Sequence, residues 1–264
     1  MRTGYYQGAG KDATRQGHAL HTQDITGSMA PGVRGMAINK VSTIDDAVRV
    51  QTVLVSVFDK TGLEDLVHGL LLANPGVSLL STGGTHSALA GILGPAAFRT
   101  LRQVSDYTGQ PEMQGGLVKT LDFRIYLGLL SETHNPHHQA DLARANASVI
   151  DMVVVNLYPF REVAAKAGAG IEEARGNIDI GGPCMVRAAA KNWHRVAALT
   201  DPADYAAVMD ELARGSGALS LQTRFRLAQK AFRTIAAYDQ AIAEYLSAQD
   251  PRGAAGAYTV LQGA

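Results

Sequence analysis

The chain has 264 residues, of which 46% are hydrophobic and 18% are charged, enough apolar material for one large core or two modest ones. Lysine plus arginine and aspartate plus glutamate each number 24, which excludes the global basic field that drives sequence-independent nucleic-acid binding. The single cysteine, Cys184, excludes an intramolecular disulfide and a cysteine-based zinc site.

The apolar runs are also short. The run at 152–158 falls well below the roughly 18 residues that a membrane helix needs, and the N-terminus lacks a signal-type apolar block. We therefore expect a cytoplasmic protein without a membrane partner.

Residues 1–46 show no sustained helical or strand period. We expect a disordered extension, and Met29 and Met36 are alternatives to Met1 as the start of the protein. The expected domain then occupies 47–250, followed by a flexible tail at 251–264.

From residue 52, β-branched runs alternate with helical patterns, as repeated strand–helix–strand units require. The predicted strands are 52–58, 77–80, 98–104, 124–130, 152–158 and 195–200. The predicted helices are 63–73, 138–146, 161–175, 183–191, 202–213 and a long one within 220–247. These elements predict an α/β fold: a mostly parallel sheet with helices on both faces and a helical C-terminal portion.

The turn "STGGT" at 81–85 separates a predicted strand from an amphipathic stretch. Ser81, Thr82 and Thr85 can donate hydroxyl hydrogen bonds, while Gly83 and Gly84 allow an oxyanion to approach the backbone. The pattern of the turn predicts a phosphate-binding cradle; the alternative is an ordinary capped strand-to-helix turn.

A second motif is "SVFDKTG" at 56–62. Ser56 and Lys60 in this motif are expected at the same carboxyl edge of the sheet, where Lys60 either neutralises a phosphate or is simply solvated.

The segment "NIDIGGPCMVRAAAKN" at 177–192 places Asp179 before a Gly-Gly pair that opens a helix, with Lys191 further along it. A carboxylate and an ammonium group in one pocket can exchange protons, although an isolated pair of this kind is more commonly a structural salt bridge. Tyr158, just past a strand, either bonds a ligand or packs. The histidines of "THNPHH" at 133–138 favour an exposed loop over a metal site.

Seven ordered motifs together resemble the inosine monophosphate cyclohydrolase domain of the bifunctional purine biosynthesis enzyme. They are "SVFDKTGLEDL", "LLSTGGT", "VSDYTGQPEMQGGLVKTL", "DMVVVNLYPF", "NIDIGGPCMVRAAAKN", "TDPADY" and "RLAQKAF" with the helix that follows, and they cover residues 52 to about 247. The resemblance implies a methylglyoxal-synthase-like three-layer fold and a homodimer. It also implies cofactor-free closure of a formylated aminoimidazole carboxamide ribonucleotide to inosine monophosphate and water.

The resemblance also implies roles for individual residues. The 5′-phosphate is expected at Ser56, Lys60, Ser81, Thr82, Gly83, Gly84 and Thr85. The reacting groups are expected at Lys119, Tyr158, Asp179 and Lys191: Lys119 on the developing oxyanion, Asp179 with Lys191 for proton transfer, and Tyr158 for orientation. The base is expected at Leu117, Thr120, Ile180, Gly181 and Gly182.

The sequence departs from the family pattern at 116–127, "GLVKTLDFRIYL". Leu117 replaces an arginine, Asp122 and Phe123 replace His-Pro, and Tyr126 and Leu127 replace a histidine and a small residue. Because the phosphate motif persists, we expect a reshaped base pocket, which leaves the standard intermediate and an analogue from a specialised nucleoside pathway as rival substrates. A non-catalytic nucleotide-binding relative and a methylglyoxal synthase are further alternatives. We expect no folate-dependent formyltransferase domain in this protein and a separate formyltransferase to supply the substrate.

Overall fold

Short runs of valine and leucine build the centre of the protein. In the computed structural model, which describes residues 40–111 and 120–261, five strands form a parallel sheet in the order β4–β3–β2–β5–β6. The strands are β2 Thr52–Val57, β3 Ser78–Ser81, β4 Leu101–Gln103, β5 Met152–Asn156 and β6 Ala197–Leu199. Val53, Leu54 and Val55 of β2 are each at most 1% exposed, because a parallel sheet covered by helices buries both faces of its strands.

Helices connect and cover these strands. They are α1 Leu63–Ala73, α2 Gly83–Leu93, α3 Ala97–Thr100, α4 Val104–Thr108, α5 Phe123–Leu130, α6 Pro136–Ala145, α7 Phe160–Ala164, α8 Ile171–Gly176, α9 Gly181–Lys191, α10 Tyr205–Arg214, α11 Leu221–Ser247 and α12 Pro251–Ala255. The predicted α/β class with a mostly parallel sheet and a helical C-terminal portion is confirmed. Within the described ranges, no helix combines the length and apolar character needed to cross a bilayer.

The predicted strand at 124–130 is wrong, because this segment forms helix α5. The Asp122 carboxylate caps the helix by accepting the Arg124 N–H at 2.8 Å, and Ile125 and Leu129, one turn apart, are buried. A short apolar run does not by itself distinguish a buried strand from a buried helix. The predicted strand at 98–104 is likewise half helical, because α3 precedes β4.

The helix predicted at 161–175 is interrupted between α7 and α8, where Gly168 has a φ of 81° that ends helical geometry.

The loop predicted at 133–138 contains the start of helix α6. Asn135 caps this helix, and Pro136 lies in its first turn. Within the described residues, no group of three metal-ligating side chains could hold an ion.

A second, two-stranded antiparallel sheet joins β1, Ala47–Arg49, to β7, Ala218–Ser220, and was not predicted because each strand has three residues. The guanidinium of Arg224, 1% exposed, donates to the carbonyls of Asp45 and His194. It thereby ties α11 to the chain before β1. The candidate starts Met1, Met29 and Met36 lie outside the described residues.

A buried ion pair joins the sheet to α5. Arg195, 3% exposed, donates to the Asp151 carboxylate at 3.2 Å and to the carbonyls of Ser131 and Gly128. The other Asp151 oxygen accepts the N–H groups of Gln51 and Thr52 at 2.9 and 3.0 Å. This network fixes the amino ends of β2 and β5.

We expect Arg195→Met to lower the free energy of unfolding by about 3–5 kcal/mol, because it leaves a buried carboxylate and several carbonyls without their donor. Arg144→Met is the matched control: Arg144 pairs with Asp141 on the surface, and its loss should cost about 0.5 kcal/mol or less. Urea denaturation of both variants measures the difference. Equal stability losses would contradict this account.

Candidate functional site

The candidate site lies where three neighbouring strands end. β2 pairs in parallel with β3 on one side and β5 on the other, with Val55 opposite both Ser81 and Val154. The segments that follow these strands therefore emerge side by side at the carboxyl edge of the sheet, the edge at which open α/β sheets bind ligands.

The "STGGT" turn leads directly from β3 into α2. The Ser81 hydroxyl donates to the Val55 carbonyl at 2.8 Å, and the Thr85 hydroxyl donates to the Val57 carbonyl at 2.9 Å while accepting the Val57 N–H at 3.1 Å. Both side chains are buried. These two predicted phosphate ligands therefore fasten the turn to β2.

The ligand-binding capacity of the turn lies mainly in its backbone. His86 makes the first α2 hydrogen bond, to the Thr82 carbonyl at 3.2 Å, so the N–H groups of Gly83, Gly84 and Thr85 have no partner within the helix. Gly83 has a φ of 50°, and a methyl group added to Gly84 would meet nothing within 4 Å. N–H groups without a partner in their own helix, at a positive helix end with open space beside Gly84, suit an oxyanion.

The end of β2 is held by Asn156, which sequence reasoning missed. The Asn156 side-chain oxygen accepts the N–H groups of Phe58 and Asp59 at 2.6 and 2.9 Å, and its amide donates to the Asp59 carbonyl at 2.7 Å. Ser56 is half-buried in β2, and Lys60 is exposed with its ammonium 3.3 Å from the Phe58 carbonyl. The predicted pair Ser56 and Lys60 thus brackets a rigid turn beside the cradle.

Asp179 lies two residues before the start of α9 and beside the main chain of Tyr158, which follows β5. Its carboxylate accepts the Gly182 N–H at 2.8 Å, and the main-chain N–H of Tyr158 also stabilises its charged form. Burial outweighs these donors and raises the pKa of Asp179 above its ordinary value of 3.8. Tyr158 is 48% exposed, so its phenol is open to solvent at this edge.

The Gly-Gly pair of α9 permits two close approaches. A Cβ on Gly182 would lie 2.5 Å from Asp179 Oδ2, and one on Gly181 would lie 2.6 Å from Thr120 Oγ1. The predicted base-binding residues Thr120, Gly181 and Gly182 therefore meet beside Asp179, with Ile180 exposed next to them. Leu117 and Lys119 lie outside the described residues.

The structure does not bring Lys191 to Asp179 within one chain. Asp179 precedes the first residue of α9 and Lys191 is the last, so a helix length of roughly 15 Å separates them. The spacing of twelve residues in sequence predicts one pocket, but α9 lies between the two residues and carries Lys191 away from Asp179.

The altered segment contains a tyrosine, Tyr126, whose hydroxyl group is buried. The Tyr126 hydroxyl lies beside the Cys184 thiol. Burial is the larger cause of the raised Tyr126 pKa, and the neighbouring thiol is the smaller one. This hydroxyl has no oxygen or nitrogen partner in the part of the chain that the structure describes. Arg124 in this segment donates to the Tyr107 carbonyl at 2.9 Å.

A separate cavity of about 510 Å³ lies at the opposite, amino edge of the sheet, lined in part by Thr52, Asp151 and Arg195. None of the predicted site residues lines this cavity. The fold and the position of the site are those of a methylglyoxal-synthase-like α/β protein, with the glycine turn as its candidate anion cradle.

Comparison with known proteins supports this class. Residues 62–184 match the family described as the MGS-like domain, and residues 189–262 match the family described as the AICARFT/IMPCHase bienzyme. A solved structure titled "Crystal structure of ForH" is 33% identical, with a TM-score of 0.62, over 75% of this chain and 99% of that one.

Curated relatives identify the family more closely. The chain is 47% identical over 200 residues to the bifunctional purine biosynthesis protein PurH of Acidithiobacillus ferrooxidans, a match that covers 76% of this chain and 37% of that protein. It is 46% identical over 210 residues to PurH of Magnetococcus marinus, covering 80% and 38%. The chain thus spans less than two fifths of these relatives, and it belongs to the PurH family as a counterpart of its IMP cyclohydrolase portion.

We expect Gly182→Ala to destabilise the fold by about 1–3 kcal/mol, because the new methyl group collides with Asp179 and with Leu157 at 2.7 Å. Gly84→Ala is the control, since that position has open space and should cost less than about 0.5 kcal/mol. Thermal unfolding measures both changes. A tolerated Gly182→Ala would show that Asp179 is not packed against α9.

Proposed function

We propose that this protein is a ring-closing cyclohydrolase that converts a formylated aminoimidazole carboxamide ribonucleotide to inosine monophosphate with loss of water. One observation supports the proposal: the glycine turn after β3 and Asp179, which lies beside Tyr158 after β5, are at the same edge of the sheet, with the end of β2 between them. Adjacent strands are about 4.8 Å apart, so β3 and β5 are about 10 Å apart, a span suited to a nucleotide.

The reaction forms one bond and releases one water. The carboxamide nitrogen bonds to the formyl carbon, whose double-bonded oxygen becomes a hydroxyl group. That hydroxyl then leaves as water with a proton that originates on nitrogen, and the ring gains a carbon–nitrogen double bond. The protein must therefore stabilise the developing oxyanion and move protons between nitrogen and oxygen.

Asp179 is the proposed proton-transfer residue and Lys119 the proposed oxyanion donor. A carboxyl group with a raised pKa gives up and regains a proton more readily near neutral pH than an ordinary aspartate. Tyr158 orients the reacting group, and the N–H groups at the start of α9 hold the ring carbonyl. Lys191 lies too far along α9 to join Asp179 in the same chain.

The test is ring closure of formylated aminoimidazole carboxamide ribonucleotide by the purified protein, followed by ultraviolet absorbance. The wild-type protein should produce inosine monophosphate, and Leu117→Arg is assayed in parallel because arginine is the usual residue there. Nucleotide binding without turnover in either protein would instead favour the non-catalytic relative. Methylglyoxal formation from dihydroxyacetone phosphate would favour the synthase.

A related azole is the second candidate substrate, favoured by the buried Tyr126 hydroxyl and by Asp122, which caps α5. Both residues belong to the segment that departs from the family. Turnover of a pyrazole analogue faster than of the imidazole substrate would support this candidate. In either case, we propose a homodimer and a separate formyltransferase as the source of the substrate.

We expect Asp179→Asn to lower kcat by about 100- to 10,000-fold, because the amide cannot accept a proton. The amide oxygen can still accept the Gly182 N–H, so the affinity for inosine monophosphate should change less than threefold. Stopped-flow absorbance and calorimetric titration measure the two quantities. Unchanged turnover would remove Asp179 from the chemistry.

The pH dependence should show the raised pKa of Asp179 in two opposite ways. The ratio kcat/KM should fall as pH is lowered through this pKa, because the base becomes protonated. A raised carboxyl pKa means that the folded state binds the proton more tightly than the unfolded state. Wild-type stability relative to Asp179→Asn should therefore decrease as pH rises through the same pKa. Parallel changes in activity and stability would contradict the assignment.

A further inference from the structure

An aromatic pair lies between the cradle and Asp179. Phe58 and Tyr158 pack edge to face, with ring centroids 5.9 Å apart and an interplanar angle of 72°. Phe58 is nevertheless 52% exposed and Tyr158 is 48% exposed. A T-shaped pair covers one ring face with the edge of the other ring, and about half of the surface of each residue remains open.

The position of Phe58 follows from the strand order. It is the first residue after β2, the strand between β3, which leads into the glycine turn, and β5, which leads to Tyr158 beside Asp179. A ribonucleotide with its phosphate at the turn after β3 and its base near Asp179 must pass over the end of β2. Phe58 is the aromatic side chain at that crossing.

The backbone around Phe58 is fixed in advance. Its N–H group donates to Asn156, and its carbonyl accepts from Lys60. The neighbouring Asp59 bonds Asn156 through both its N–H and its carbonyl. A ring on a held backbone loses little freedom when a ligand binds, so its contact contributes more to affinity.

We propose that Phe58, together with Tyr158, forms an aromatic platform that contacts the heteroaromatic base of the substrate and makes Phe58 a specificity-determining residue. This inference rests on the proposed nucleotide substrate. It assigns Phe58 to the base, while the neighbouring Ser56 and Lys60 serve the phosphate.

The experiment compares two probes, inosine monophosphate and ribose 5-phosphate, by calorimetric titration. Phe58→Ala should weaken inosine monophosphate binding about tenfold and ribose 5-phosphate binding less than twofold, because only the first probe carries a base to stack. Phe58→Tyr should restore binding to within about twofold of wild type, because it keeps the ring. Phe98→Ala is the matched control: Phe98 is 95% exposed and lies on α3, before a strand rather than after one.

Three results would overturn the platform. They are an equal loss of affinity for both probes, no loss for either, or a change in oligomeric state of Phe58→Ala by light scattering, which would place the ring in a contact between copies. Thermal unfolding establishes that the variant is folded. If wild type fails to bind inosine monophosphate, the proposed function fails; if wild type binds and turns over while Phe58→Ala binds normally, only the platform fails.

Discussion

The parallel pairing of β2 with both β3 and β5 is the constraint on which the rest of the structure depends. Leu54 lies opposite Leu80 on one side and Val153 on the other, and all three are almost fully buried. A slip of one residue in either register would turn buried side chains to the opposite face of the sheet. The same pairing brings the cradle, Phe58 and the Asp179 segment to one edge, so the core and the site share one geometric cause.

Polar side chains fix the positions of the segments that follow the strands. Ser81 and Thr85 bind the backbone of β2, and Asn156 binds the turn after it. The sequence pattern assigns Ser81 and Thr85 to ligand binding. In the structure, however, their hydrogen bonds join the turn after β3 to β2. The N–H groups at the start of α2, which a helix cannot satisfy internally, are the proposed anion contacts.

The sequence predicted the parallel α/β class, strand β2 and the bounds of α1, because the hydrophobic periodicity of these segments is clear enough to distinguish helix from strand. It did not predict α5, because the apolar run at 124–130 fits both a helix and a strand. The capping of the helix by Asp122 favours the helix. It also placed Lys191 with Asp179, since spacing in sequence does not state the direction in which a helix runs. Phe58 was missed because a single aromatic residue in a turn has no pattern, and Lys119 lies outside the described residues.

The measurement that tests the central claim most directly is a crystal structure of this protein with inosine monophosphate bound. The account predicts the phosphate within hydrogen-bond distance of the Gly83, Gly84 and Thr85 N–H groups, and the base across the end of β2 beside Asp179. A nucleotide in the amino-edge cavity near Asp151 and Arg195, or one whose phosphate avoids the start of α2, would contradict it.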